Sequence, residues 1–115
     1  MKHINFLKHK AFFKPLISTL QVQSAVMVLK PGQSSSDEVE NEHPKAEQWL
    51  FVISGHGRAT VGTRSIAIKT GSLLVIEKAE RHQITGTGSK PLITLNLYCP
   101  PAYTDQGKVK TSVTR

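Results

Sequence analysis

From Leu20 onward a turn signal recurs about every 8–12 residues, and this punctuation constrains the fold more than any other feature of the chain. Pro31-Gly32 with Ser34-Ser35-Ser36, Ser54-Gly55-His56-Gly57, Gly62-Thr63, Thr70-Gly71, Gly86-Thr87-Gly88-Ser89 and Pro100-Pro101 are the breaks. Between them lie short β-rich segments, with no helical periodicity after Leu20. The pattern predicts an all-β sandwich or barrel.

Two segments sharpen that expectation. Gln48-Trp49-Leu50-Phe51-Val52-Ile53 is apolar on both faces, with Leu50 and Val52 on one and Trp49, Phe51 and Ile53 on the other. Such a strand needs cover on both sides, from a second sheet or another subunit, so a homodimer is expected. Arg58–Val61 and Arg64–Ile68 meet across Gly62-Thr63, where glycine at the first central position suits a type II′ hairpin. Ile66 and Ile68 share a face of the second arm. Residues 1–19 read as a lead-in in which Phe12, Phe13 and Leu16 form a strand over one end of the barrel. Residues 20–103 read as the barrel domain, and 104–115 as a polar, flexible tail.

The 115 residues suffice for one domain that buries about two-thirds of its unfolded surface. The net charge of +7 raises the question of nucleic acid. The lysines, however, cluster near the termini and the acids between Asp37 and Glu47, with no basic run interleaved with aromatic residues. No specific nucleic-acid partner is expected. No apolar stretch approaches the roughly 18 residues of a membrane span. The N-terminus lacks the apolar core of a signal peptide, so a cytoplasmic location is expected. Cys99 is the only cysteine, which excludes an internal disulfide and a multi-cysteine metal knuckle. It reads as a small half-buried residue at a strand end.

The order of motifs resembles the cupin superfamily, specifically its small conserved-barrel members. The first family motif has two histidines one residue apart, then an acid, then a glycine. Here it runs from Asn41-Glu42-His43 through Gln48 to Gly55. His43 falls on the second histidine, Asn41 stands for the first, and Gln48 for the glutamate. The second motif runs from Gly71 to His82, with Glu77 and Ala79 in place of its proline and glycine. The resemblance covers residues 20–103 and implies a double-stranded β-helix, or jelly-roll.

It also implies a site. Cupins commonly hold a divalent metal with three histidines and a glutamate, of which His43 and His82 survive, with Gln48 in the acid's position. This implies one weakly held zinc, nickel, copper, iron or manganese ion on His43, Gln48 and His82, or a barrel that has lost its metal. Glu42 or Glu47 would help if turned inward, and strand alternation points Glu47 outward. Arg81 is a candidate for an anion at the mouth or for a surface ion pair with Glu77 or Glu80. The favoured function is binding of a small molecule in the barrel. The alternative is a metal-dependent enzyme, a dioxygenase or a sugar isomerase or epimerase.

Overall fold

The computed structural model describes residues 1–110. These form one 3-10 turn, Phe6–Lys8, and eight strands: β1 Phe13–Ser18, β2 Gln23–Leu29, β3 Glu47–Ser54, β4 His56–Val61, β5 Arg64–Lys69, β6 Leu73–Ile76, β7 His82–Gly86 and β8 Leu92–Cys99. Every pairing is antiparallel. One sheet has the order β1-β2-β8-β3-β6, the other β5-β4-β7. The two pack face to face, the all-β sandwich that the turn spacing predicts, in the jelly-roll form that the family resemblance implies. Among the described residues no helix is long and apolar enough to cross a membrane.

The strand sequences explain the layers. On β3, Leu50 and Val52 point in and are fully buried, together with Leu29, Ile76, Ile84 and Leu92. Trp49 and Phe51 point out, 40% and 38% exposed. Val75 and Leu73 of β6 flank them on one side, and Leu97 and Leu95 of β8 on the other. The small sheet thus covers the inner face of β3, and none of the described residues covers Trp49 or Phe51. In the β4–β5 hairpin Val61 pairs with Arg64, and Gly62 has the positive φ of 61° that the type II′ turn requires. Ile66 departs from expectation. It shares a face with Ile68, which is 3% exposed, yet is itself 45% exposed. β5 is an edge strand of the smaller sheet, paired on one side only.

Three connections shape the barrel mouth. The segment after β2 bridges to β7 at Ser34–Thr85 and Glu40–His82, which carries Glu42 and His43 to the mouth. β1 extends the larger sheet, with Phe13 opposite Met27. The start of the expected tail is hydrogen-bonded: Thr104 N donates to Lys108 O, Lys110 N to Ala102 O, and Tyr103 bridges to Val109. Gln23, 3% exposed, holds its base by accepting from the amides of Ala102 and Tyr103 and donating to Tyr103 O. Residues 104–110 therefore fold back over the mouth, where their composition suggested only a polar tail. Residues 111–115 lie outside the described residues.

Candidate functional site

The expected trio comes together inside the barrel. His43, Gln48 and His82 are 4%, 3% and 2% exposed, and the two imidazole centroids lie 4.8 Å apart. Asn41, in the place of the first family histidine, is exposed and takes no part. Glu47 points outward, where its carboxylate accepts from Trp49 Nε1 at 2.7 Å. The Arg81 guanidinium donates to Val39 O, and among the described residues it forms no ion pair with Glu77 or Glu80.

The trio is wired into a row of hydrogen bonds. Gln48 Nε2 donates to Asn96 Oδ1 at 2.8 Å, Asn96 Nδ2 to Thr94 Oγ1 at 2.9 Å, and Thr94 Oγ1 to Met27 O at 3.0 Å. At the other end His43 Nε2 meets Gln48 Oε1 at 2.9 Å, and His43 Nδ1 meets Ala46 O at 3.0 Å. Ala46 O can only accept, so His43 donates from Nδ1. Both ends of the row are then carbonyl acceptors. It closes either with a second proton on His43, or with both amides turned over and the Thr94 hydroxyl rotated, so that Gln48 donates to His43 Nε2. In either arrangement both nitrogens of His43 are occupied.

His82 and Glu42 form a second pair. His82 Nδ1 donates to Glu80 O at 3.0 Å, which turns Nε2 toward Glu42 Oε1, 3.5 Å away. Burial, with the neighbouring Glu40 charge, raises the Glu42 carboxyl from 4.5 to about 7. Burial likewise lowers the His82 imidazole. Both shifts favour the uncharged forms.

These side chains do not fit a metal as arranged. No buried side-chain nitrogen or oxygen among the described residues lacks a hydrogen-bond partner, so no donor is held in reserve. His43 and Gln48 satisfy each other, and His82 faces Glu42. Among the described residues no group of three or more His, Cys, Asp or Glu side chains is placed to hold an ion. The coordination set implied by the motif is here a hydrogen-bonded set.

Beside it lies a cavity of about 310 Å³, at the low end for small-molecule sites. Its polar lining comes from Ser35, Glu42, Gln48, His82, Tyr98 and Tyr103, and its apolar walls include Phe12, Phe13, Met27 and Ile84. Gln106, Gly107 and Val109 of the folded-back segment close one side. Burial, with the nearby Tyr103 and Glu42, holds the Tyr98 phenol well above its ordinary value, and burial next to Glu42 raises Tyr103 as well. The sequence reading missed the roles of Thr94 and Asn96. The signal was there in β8, where both fall in phase with buried Leu92 and so face inward.

The Glu42 shift has a stability consequence of definite sign. A carboxyl raised in the folded state contributes stability that is full below its ordinary value and is lost as pH rises through about 7. Glu42→Gln carries no such dependence. Between about pH 5 and pH 8 the melting temperature of the parent should fall relative to Glu42→Gln. A gap that stays constant across that range would contradict the placement of Glu42.

Comparison with known proteins agrees with this architecture. A family model described as "Cupin domain" matches residues 25–98. A Bacillus halodurans protein of known structure is similar at 25% identity and TM-score 0.77, over 90% of this chain and 80% of that one. A putative sugar phosphate isomerase from Acidithiobacillus ferrooxidans is similar at 22% identity and TM-score 0.61, over 71% of this chain and 52% of that one. Oxalate decarboxylase from Lactobacillus farciminis, in its formate complex, is similar at 27% identity and TM-score 0.64, over 73% of this chain and 25% of that one. No curated protein matches the sequence.

Proposed function

Because the chain belongs to the cupin-domain family, we propose that it binds a small organic molecule in the pocket at its barrel mouth, with hydrogen bonds and not a metal organising the interior. The observation that carries this reading is the cavity itself, where a few convergent polar groups sit within aromatic and aliphatic walls. The substrates named for two of the similar proteins do not transfer simply. Sugar phosphates and oxalate are anions, and among the described residues no lysine or arginine lines this cavity to receive one.

A thermal-shift screen of small metabolites tests the reading. Val109 is exposed on the segment that closes the pocket, so Val109→Trp blocks the mouth without entering the core. A ligand at a hundred times its dissociation constant stabilises the folded state by about 2.7 kcal/mol. Compounds that raise the melting temperature of the parent should leave Val109→Trp unmoved. Equal shifts in both proteins would place binding elsewhere.

A second reading, an enzyme that moves a proton, is favoured by the Glu42–His82 pair, whose members are 3.5 Å apart and both shifted toward neutrality. Its signature is solvent deuterium entering the bound molecule and ceasing to do so in Glu42→Gln. Binding without exchange would leave the first reading standing alone.

We further infer a homodimer through the outer face of β3 and β6, where Trp49, Phe51, Leu73 and Val75 make an exposed apolar patch. Trp49→Lys with Phe51→Lys should convert a dimer in sedimentation to a folded monomer. A parent that sediments as a monomer at high micromolar concentration would overturn this.

A further inference from the structure

The pocket carries an unusual charge balance for a protein with a net charge of +7. Among the described residues its lining holds one carboxylic acid, Glu42, and no lysine or arginine. Arg81 is exposed and turned onto Val39 O. The segment that flanks the mouth adds Asp37, Glu38 and Glu40, all exposed. Glu40 is close enough to perturb Glu42. This flank of the mouth is therefore acidic, while Lys108 and Lys110 lie on the segment that closes it, and an acidic flank raises the local concentration of cations.

The walls point the same way. Phe13, Tyr98 and Tyr103 form a mutual cluster, with Phe13–Tyr103 centroids 4.6 Å apart, Tyr98–Tyr103 4.9 Å and Phe13–Tyr98 6.3 Å. The Glu42 carboxyl lines the same cavity as both phenols. Aromatic faces carry negative quadrupole density and attract alkylammonium groups, most strongly where water is excluded. Glu42 faces His82, whose imidazole burial holds toward its neutral form. The carboxylate therefore has no fixed cation beside it, and a bound one offsets the cost of removing it from water. An anion would meet the carboxylate and the ring faces with nothing to balance it.

Resting on the reading of this cavity as a small-molecule site, we propose that its occupant is a small organic cation, with an ammonium or alkylated ammonium group lodged between Glu42 and the Phe13–Tyr98–Tyr103 cluster. The Ser35 hydroxyl, which accepts from Ile84 N, keeps its own proton to donate to the rest of the ligand. The amide row through Asn96 fixes Gln48, and the 104–110 segment shields the charge from solvent.

Three probes of nearly equal shape separate charge from fit: choline, its neutral isostere 3,3-dimethyl-1-butanol, and the anion 3,3-dimethylbutanoate. Each is titrated into the full chain, freed of adventitious metal, while backbone and side-chain amide resonances are followed. Choline is expected to saturate with shifts at the pocket residues and to bind about tenfold or more tightly than the alcohol, with the anion weakest. Glu42→Gln should erase the choline preference while leaving the alcohol's affinity in place. The comparison of probes on the parent protein stands even if the variant folds poorly. Pocket binding of the alcohol or the anion as tightly as choline overturns the cation assignment and leaves a small-molecule site. No pocket shift with any probe overturns both.

Discussion

Gly55→Ala is expected to destabilise the protein by about 3 kcal/mol or more. Gly55 joins β3 to β4 with φ of 102°. A Cβ there would lie 2.6 Å from Pro91 O and 3.0 Å from Leu92 Cα. Both are backbone atoms at the start of β8, so no side chain can rotate away. Relief would require moving the β8 entry, and with it fully buried Leu92. Gly62→Ala is the control. Its φ is also positive, at 61°, but nothing lies within 4 Å of the added Cβ, so it bears only the left-handed backbone cost of about 1–2 kcal/mol. Urea midpoints of the two variants measure the difference. A Gly55→Ala loss no greater than that of Gly62→Ala would show that β8 does not pass so close.

Asn96→Leu is expected to cost about 2–4 kcal/mol although it removes no apolar contact. Asn96 is fully buried, and the change leaves Gln48 without its acceptor and Thr94 without its donor. Unpaired buried groups bear the whole desolvation penalty, whereas removing both partners relieves much of it. Gln48→Met combined with Asn96→Leu should therefore cost clearly less than the sum of the single changes, by about 1 kcal/mol or more. Additive losses would mean that the amide row is not continuous. A change at the row also reaches the pocket, because Gln48 belongs to both.

These two sites show how unevenly the sequence displays the structure. Gly55 was legible because a turn glycine stands out between two apolar strands, and the two-faced pattern of β3 marked its covered and uncovered sides. His43, Gln48 and His82 were legible as a group from motif spacing, and they do meet. What they do together was not legible, since spacing reports positions and not hydrogen-bond direction. Thr94 and Asn96 decide that question from β8, 48 residues beyond Gln48 in the case of Asn96. Glu42 turns inward because of its loop, whose path no periodicity describes. The 104–110 segment looked solvated by composition, yet Gln23, 80 residues away from Tyr103, fixes its base. Ile66 erred the other way, with an apolar pattern that continues past the edge of the core.

Hydrogen bonds, and not a coordinated ion, are proposed to organise the barrel interior around the pocket. The most direct measurement is elemental analysis of protein purified without chelator or affinity metal, before and after incubation with zinc, nickel, copper, iron and manganese. Far less than one metal per chain, with no rise in melting temperature on incubation, is the result expected from a row that already occupies His43 and Gln48. Near-stoichiometric metal that disappears in His82→Ala would contradict the claim.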